Sequence, residues 1–487
     1  MKTKNIFIAS FALLLGLMTF SCTEDFVEMN TNPNASTAAN PESLLAPTLH
    51  DLVWRNQNRA MRLNNEIMQV HVTTVDSREF HRYFIRPTES DYMWRNWYVQ
   101  LTDIKDMYAK AEESKLAGFE TFKGISLVLE AWTFSMLADM FGDIPYSEAN
   151  QGKIGNVTPK FDPQRDVYLG LFEKLEEANT LLTSSGDLPG ALTEYDPLYA
   201  GNALLWRKFG NSLYLRLLLR ASGKSESNAI SKIQQITEST PAAYPVFSSA
   251  LESAILPVGN TQPLTSAFFN FRDFDFNGDK GYSEFFINNL NSWQDPRLPI
   301  WATISSGIYA GIPSGWSSGQ IPERQSTLQV GLKTDPRLGN IMNHAELQFI
   351  LAEASLKGFI GGDPKAYYET GIESALAHWD LEMPEDLLER PFISWDENWD
   401  FDQKMEAIHM QKYFALFFTD FQQWHEYKRT GHPSLIPGEG TLNGGRMPSR
   451  FGYPINVQAL NAKNYNEAIQ RMGPDNINTK VWWNIEE

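Results

Sequence analysis

The sequence is poor in the residues and motifs that carry catalytic chemistry. Cys22 is the only cysteine among 487 residues, and the eight histidines are scattered without an H-E-x-x-H zinc motif. A P-loop and a dinucleotide-binding fingerprint are also missing. No run of basic residues offsets the formal net charge of −18, so nucleic acid is not an expected partner. These absences leave no recognisable catalytic constellation.

The first 21 residues have the organisation of a bacterial export signal. Lys2 and Lys4 precede fifteen apolar or small residues at 6–20, and a serine stands directly before Cys22. At about 1.5 Å per residue this run is too short to cross a ~30 Å hydrocarbon core comfortably, so a cleaved signal is predicted. Cys22 would then begin the mature chain and carry a thioether-linked lipid. Thr19 occupies the position where the lipobox usually has leucine; the alternative is ordinary secretion with an incidental cysteine.

The residues after Cys22 predict a tether followed by one large domain. Lipidation of Cys22 would leave no free thiol, which excludes disulfides, thiolate metal sites and cysteine nucleophiles. The acidic Glu24 and Asp25 resemble the surface-export signal of Bacteroidota lipoproteins. Residues 28–43 are polar and rich in proline and asparagine, so residues 22–43 are predicted to form a lipidated N-terminus and flexible tether. Residues 44–487 contain no clear linker and are predicted to form a single domain.

Helical periodicity dominates that domain, which predicts a mainly α fold. The periodic segments are 92–117, 122–141, 201–222, 341–358, 364–380 and 402–429. Glycines at 142 and 431 are expected to end two of these helices. The pair 341–358 and 364–380 resembles a tetratricopeptide unit, although the strict repeat consensus is missing. Residues 240–340 are rich in glycine, proline, serine and aromatic side chains, which predicts a loop-rich face that carries recognition.

One short string resembles a hydrolase motif. Residues 315–319, Gly-Trp-Ser-Ser-Gly, match the nucleophile elbow of serine hydrolases. That elbow requires a buried strand before the serine and a helix after it. Here Pro313 precedes the string and a glycine-serine loop surrounds it. We therefore interpret the match as a coincidence.

A second string matches the twelve-residue calcium loop of EF-hands. Calcium prefers six to eight oxygen ligands, which such a loop supplies from side chains around a glycine turn. The candidate ligands are Asp273, Asp275, Asn277, Asp279 and Glu284. Lys280 occupies a position where an apolar residue is usual. The alternative is an acidic turn followed by a helix that begins near Ser283.

Five blocks, in order, resemble the SusD/RagB family of outer-membrane nutrient-binding lipoproteins, and they span nearly the whole chain. They are Phe-Gly-Asp-Ile-Pro-Tyr at 141–146; Asp-Pro-Arg-Leu at 295–298; the two Ala-Glu pairs at 345–346 and 352–353; Gln411-Lys412 with Trp424 to Gly431; and Arg450 to Pro454 with Asn461, Asn464, Ala468, Trp482 and Trp483. His344 stands where the family has tyrosine.

This resemblance implies a SusD-like helical scaffold with tetratricopeptide-like helix pairs and a loop-rich ligand-binding face. It also implies a non-catalytic, surface-exposed lipoprotein of the outer membrane. Such proteins capture oligosaccharides, and sometimes peptides, and cap a SusC-like TonB-dependent transporter. Aromatic residues in polar loops are the expected ligand contacts, with Trp316 and Tyr309 first. Arg78, Trp94 and Trp97 follow, with core packing an equal alternative for Trp97 because it shares a helical stripe with apolar neighbours.

Two other functions remain open from the sequence. The helical repeats are compatible with an adhesion or assembly protein that binds a protein partner. A secreted hydrolase is motivated only by the Gly-Trp-Ser-Ser-Gly string and by abundant carboxylates. Trp424, Trp482 and Trp483 are predicted to anchor the core rather than to bind ligand.

Overall fold

A computed structural model describes residues 40–114 and 118–484. The predicted signal peptide, the lipidation site Cys22 and most of the predicted tether lie outside the described residues. The first helix begins at Pro41, three residues before the predicted start of the domain at residue 44.

Fifteen α-helices and four short strands make up the regular structure of the described residues. The helices are α1 Pro41–Ala60, α2 Leu63–Ile67, α3 Ser90–Ser114, α4 Phe119–Phe141, α5 Gln164–Ser184, α6 Ala203–Ala221, α7 Ala229–Gln234, α8 Glu284–Trp293, α9 Leu298–Trp301, α10 His344–Leu356, α11 Pro364–Ala377, α12 Phe401–Ala415, α13 Gln422–Thr430, α14 Ile455–Leu460 and α15 Ala462–Met472. The strands are β1 His71–Thr73, β2 Ala254–Ile255, β3 Lys280–Tyr282 and β4 Asn340–Met342.

Helix pairs form the scaffold. Helix α3 packs on α1 and α4, α5 packs on α4 and α6, and α10 packs on α11. The last of these is the pair that the sequence predicted as tetratricopeptide-like. The predicted mainly α fold class is therefore confirmed.

Helix α4 lies at the centre of the scaffold. It is long and apolar enough to span a membrane, but its apolar window is entirely buried inside the domain, as in the core helix of a globular protein. Gly142 ends the helix as predicted, with φ of 85°, and its N–H donates to the Ala138 carbonyl at 2.8 Å. A positive φ of this size favours glycine because a side chain would be strained there.

The single helix predicted over 402–429 is wrong, because the structure has two helices there, α12 and α13. Phe418 and Asp420, in the connection between them, adopt positive φ angles of 61° and 38°. The buried Asp420 carboxylate accepts the Gln422 side-chain amide at 2.9 Å, and the Thr419 hydroxyl accepts the Asn340 amide at 2.7 Å. These bonds stabilise the turn between α12 and α13. Because the phenylalanines in this turn remain buried, the apolar periodicity of the sequence continues across it and does not reveal that one helix ends there.

A short antiparallel ribbon ties the loop-rich segment to the N-terminal part of the domain. β1 pairs with β3, with His71 opposite Tyr282 and Thr73 opposite Lys280. Ser283 follows β3 and caps α8, since its hydroxyl accepts the Phe286 N–H at 3.0 Å. The ribbon thereby fixes where α8 begins.

Candidate ligand-binding cleft

A cleft of about 670 Å³ lies beside the first turns of α8. Its walls are formed by one face of α8, by loop 313–320 and by loop 436–439. This volume is within the range of small-molecule sites in proteins, roughly 300–1,000 Å³. The main lining residues are Gln69, Glu284, Phe285, Asn288, Asn289, Pro313, Trp316, Gln320, Ile436 and Glu439.

Close backbone packing holds the two loops against each other. The Gly440 N–H donates to the Gly315 carbonyl at 2.7 Å, and the Gly315 N–H donates to His81 Nδ1 at 3.2 Å. A Cβ at Gly438 would lie 2.1 Å from the Ser314 carbonyl oxygen, so only glycine fits at that position. These contacts give the cleft a preformed wall.

Trp316 anchors that wall. Its indole N–H donates to the Thr73 carbonyl at 3.1 Å, and its ring stacks on His81 with centroids 4.8 Å apart. The guanidinium of Arg82 lies 5.4 Å from the ring centroid. Trp316 therefore lines the cleft but is only 6% exposed, which makes it part of a wall rather than an open stacking platform.

Helix α8 supplies cleft residues that the sequence analysis missed. Glu284, Phe285, Asn288 and Asn289 lie on one face because residues three or four apart in a helix are neighbours. Glu284 and Asn288 are exposed. The available signal was the run of asparagines at 288, 289 and 291, in the helix that Ser283 caps.

The other predicted aromatic contacts lie apart from this cleft. Tyr309 is half-buried against the core, and its carbonyl accepts the Asn291 side-chain amide at 2.9 Å. Trp94 contacts a different cleft of about 440 Å³, where its ring packs against aromatic rings including that of Tyr453. Neither residue is among those that line the Trp316 cleft.

The prediction that Trp97 contacts ligand is wrong. Its side chain is fully buried, and its indole N–H donates to the Asn56 side-chain oxygen at 2.9 Å. Its ring also packs edge-on against Phe421. The alternative assignment to the core is the one that the structure supports.

Arg78 forms an ion pair rather than facing the cleft. Its guanidinium contacts the Asp279 carboxylate, which also accepts a bond from Lys280 at 2.5 Å. Burial acts to raise the pKa of Asp279, but the bonds from Lys280 and Arg78 outweigh it and hold that pKa below its usual value. Arg78 is absent from the lining of the Trp316 cleft.

The proposed calcium ligands do not converge on a common point. Asp273 pairs with Lys333 at 2.9 Å, and Asp275 makes a two-pronged pair with Arg272 at 2.7 Å. The Asn277 amide donates its N–H to the Leu328 carbonyl at 3.0 Å, so its nitrogen is committed as a donor. Asp273 and Asn277 thus bond to residues far outside the predicted loop, and Asp275 bonds to Arg272, which directly precedes the loop.

Lys280 places a positive charge inside the candidate loop. Its ammonium donates to the Phe276 carbonyl at 2.9 Å and to the Asp279 carboxylate. Residues 280–282 form β3, and Glu284 lies instead at the edge of the ligand-binding cleft. With Asp273, Asp275 and Asp279 paired to basic side chains, the residues present do not fit a calcium ion.

The hydrolase-like string forms no nucleophile elbow. Residues 315–319 lie in a loop without a flanking strand or helix among the described elements. The nearest imidazole, His81, accepts a hydrogen bond from the Gly315 N–H rather than from Ser317. Ser318 instead donates to Asp76 at 3.0 Å. The interpretation of the string as a coincidence agrees with this geometry.

The family-like blocks form buried ion pairs in the scaffold. Glu346 of α10 accepts two bonds of 2.6 Å from Arg216 of α6. Arg297 makes a two-pronged pair with Asp295 within a single block, at 2.6 and 2.9 Å. All four side chains are almost completely buried. Removing one partner at such a site leaves an unpaired buried charge, so we interpret these blocks as structural rather than ligand-binding.

A larger charge network joins α10, α12 and α13. Glu353, His409 and Glu426 converge within 4.8 Å, which is a spacing compatible with metal ligands. However, Arg429 contacts both carboxylates, and Lys412 donates to Glu426 at 2.8 Å. Burial acts to raise the pKa of Glu353, but Arg429 outweighs it and holds that pKa well below its usual value. Protein cations therefore already neutralise the cluster.

The C-terminal tryptophans take the positions predicted for core anchors. Trp424 is fully buried, with its N–H donating to the Pro448 carbonyl at 2.8 Å, and Trp483 donates to Asp139 at 2.8 Å. Trp482 is partly buried against the same core and bonds to Glu226 at 2.9 Å.

Solved structures of SusD-type proteins share this fold. A SusD homologue from Bacteroides fragilis has a TM-score of 0.77 and 24% identity, over 92% of this chain and 100% of that chain. A chitin-binding protein gives the same values. A chitin-binding SusD homologue from Flavobacterium johnsoniae has a TM-score of 0.76 and 20% identity, over 91% and 99% of the two chains. Curated protein sequences give no match.

The structure thus combines a helical scaffold with a loop-walled cleft. Residues 33–454 match a family model described as SusD-like, starch-binding and associating with the outer membrane. The chain therefore belongs to the SusD-like family of carbohydrate-binding, non-catalytic outer-membrane proteins.

Proposed function

We propose that this protein captures oligosaccharides in the Trp316 cleft at the cell surface and delivers them to a TonB-dependent transporter. The observation that carries the proposal is the composition of that cleft. Exposed polar side chains of Glu284, Asn288 and Gln320 line it together with the apolar side chains of Phe285 and Ile436.

Such a lining matches the chemistry of sugars. A sugar ring has hydroxyl groups that donate and accept hydrogen bonds, and C–H faces that pack on apolar side chains. Amides and carboxylates supply both donors and acceptors, since an amide carries two donors and one acceptor oxygen. The chitin-binding relatives support this choice of ligand class.

The anchor and the partner rest on the N-terminal sequence and on the family. Cys22 follows an export signal, and a lipid there would hold the domain at the outer membrane. Two or three acyl chains give stable anchoring because each buried CH₂ contributes about 0.8 kcal/mol. The resemblance to SusD/RagB proteins supports a SusC-like transporter as the partner.

Ligand binding is tested on the soluble domain that starts after residue 40. A thermal-shift panel of neutral oligosaccharides and peptides should contain a ligand that stabilises the domain. At 100 times its Kd such a ligand adds about 2.7 kcal/mol. Asn288→Ala and Gln320→Ala should weaken binding, whereas the control Asn466→Ala should not, because Asn466 is exposed on α15 away from the cleft. Unchanged affinity in both cleft variants would place the site elsewhere.

Trp316→Ala is a less informative variant. It would remove the bond to Thr73 and the stack on His81, so lost binding could reflect a collapsed loop. The exposed residues Asn288 and Gln320 avoid this problem.

Anchoring and partnership are tested in cells. Cys22→Ala should release the mature protein from the membrane fraction, and mild-detergent purification of the wild type should retain an outer-membrane transporter. A freely soluble wild type, or one that purifies alone, would contradict this part of the proposal. A protein ligand without small-molecule binding would favour the adhesion function instead.

A further inference from the structure

A second cleft, distinct from the one that Trp94 contacts, lies next to the Trp316 cleft, and Asn289 lines both. It has a volume of about 360 Å³ and contains three aromatic residues, Trp293, Phe392 and Trp399. Helix α12 supplies its polar side with Asp402 and Glu406 among others. Because Asn289 lines both clefts, the two open onto the same stretch of α8.

Phe392 has a strained backbone conformation, and burial of its side chain does not compensate for that strain. Its side chain is 74% exposed, and its φ is 69°. A bulky non-glycine residue at positive φ is strained, and an exposed ring recovers little of that strain through burial. Strain of this kind collects at functional sites, so the exposed ring is a candidate ligand contact.

Trp399 presents a second ring in the same cleft. It is half-buried, and its ring meets Trp395 at a centroid distance of 6.2 Å and an angle of 60°. Trp395 itself is buried, so it supports Trp399 from behind. A half-exposed tryptophan with a supported ring offers a rigid apolar surface.

One helical face joins the two clefts. Phe285, Asn289 and Trp293 follow each other at four-residue spacing, which places them in a row along α8. From Phe285 to Trp293 this row extends roughly 12 Å, at about 1.5 Å per residue. A chain of sugar rings laid along α8 would therefore pass from one cleft into the other.

The charges along this path are of one sign. Glu284 and Glu439 line the first cleft, and Asp402 and Glu406 line the second. Among the described residues no lysine or arginine lines either cleft. Three basic side chains flank the second cleft without lining it: Arg390 donates to the Trp293 carbonyl at 2.8 Å, Lys404 lies 5.7 Å from the Trp395 ring centroid, and the His432 ring contacts Glu406 at 2.6 Å.

We propose that the two clefts form one groove that binds a single uncharged or amine-bearing oligosaccharide chain, with Phe392 and Trp399 contacting its distal sugar rings. The inference rests on the proposed function, because it extends the ligand that the Trp316 cleft would hold. Acidic glycans are excluded because the lining carboxylates repel them.

Calorimetric titration tests the groove with defined probes. These are malto-oligosaccharides and chito-oligosaccharides from two to six sugars, the amine-bearing chitosan oligomers and the acidic oligogalacturonates. Wild type is compared with Phe392→Ala and Trp399→Ala, and Phe274→Ala serves as control because Phe274 is an exposed phenylalanine that lines neither cleft.

The expected result is length-dependent affinity in the preferred neutral or amine-bearing series. Each of Phe392→Ala and Trp399→Ala should weaken binding of the longest chain about tenfold and leave the disaccharide unaffected, as one lost aromatic contact implies. Phe274→Ala should bind as wild type does.

The outcomes separate the two proposals. Disaccharide binding that is sensitive to Asn288→Ala, without any effect of chain length or of the two aromatic variants, would overturn the groove and leave the proposed function intact. Oligogalacturonate binding as tight as that of a neutral chain would also overturn the groove as described. A failure of every oligosaccharide to bind would overturn both proposals.

Discussion

The buried pair of Arg216 and Glu346 offers a direct test of the structural role of the family-like blocks. The two side chains are 1% and 0% exposed and share two bonds of 2.6 Å. Arg216 also donates to the Ile341 carbonyl at 3.0 Å. Glu346→Gln keeps the shape of the side chain but leaves the guanidinium buried without its anion.

The burial of this pair determines how much unfolding free energy Glu346→Gln should lose. Removing one partner of a buried ion pair costs about 3–5 kcal/mol of unfolding free energy. Burial raises the pKa of nearby Asp420 to about 6, while Arg216 acts to lower it, so Asp420 is ionised at pH 7.5. That carboxylate partly replaces the lost charge, and we expect the lower end, about 3 kcal/mol.

Denaturant unfolding at pH 7.5 measures the loss, with Glu467→Gln on exposed α15 as control. The double variant Arg216→Met with Glu346→Leu should recover most of the stability, because an apolar pair of similar size removes both desolvation costs. Ligand affinity of folded Glu346→Gln should equal that of wild type, since Glu346 lines neither cleft. A loss below about 1 kcal/mol, or weakened binding at full stability, would refute the structural assignment.

Two further predictions concern protons and metal. Burial, followed by the nearby Arg82 charge, lowers the pKa of His81 to about 4. In the unfolded chain the pKa of this imidazole is about 6.5, so as pH falls the unfolded state takes up the proton at a higher pH than the folded state does. Protonation therefore favours unfolding, and the free energy of unfolding should fall by up to about 3 kcal/mol between pH 6.5 and pH 4. His81→Asn should make the decline measured by denaturant unfolding shallower; an unchanged slope would contradict the assignment. Chelator and added calcium should both leave the melting temperature unchanged, because Lys280 fills the candidate loop; a calcium-dependent shift would contradict that geometry.

Local signals predicted part of the scaffold: five of the predicted segments correspond to α3, α4, α6, α10 and α11, whereas α1 and α5 were not predicted. Glycine signals at 142 and 431 mark real helix ends, and the φ of 77° at Gly431 is the left-handed value expected there. The break between α12 and α13 left no such signal. It depends on a buried carboxylate, Asp420, and on a bond from distant Asn340, neither of which periodicity registers.

Aromatic residues were the hardest part of the site to predict. Trp97 and Phe392 are both aromatic residues in aromatic-rich sequence, yet one is fully buried and the other is 74% exposed. What distinguishes them is the tertiary environment, because Asn56 bonds to the Trp97 indole, whereas a turn with positive φ projects Phe392 outward. The calcium-loop pattern was misleading for a similar reason, because the bonds of Lys280 to the Phe276 carbonyl and the Asp279 carboxylate form only in the folded loop.

The five family-like blocks and the two clefts do not share a single lining residue. The blocks contribute to ion pairs between distant helices, such as that of Glu426 of α13 with Arg220 of α6. The groove is built from α8, from the segment around Phe392 and from loops that lie between the blocks. Substitutions in those loops therefore change ligand contacts without touching the buried charges. Because the scaffold is shared with a solved structure at only 24% identity, the ligand must be determined from the groove of this protein.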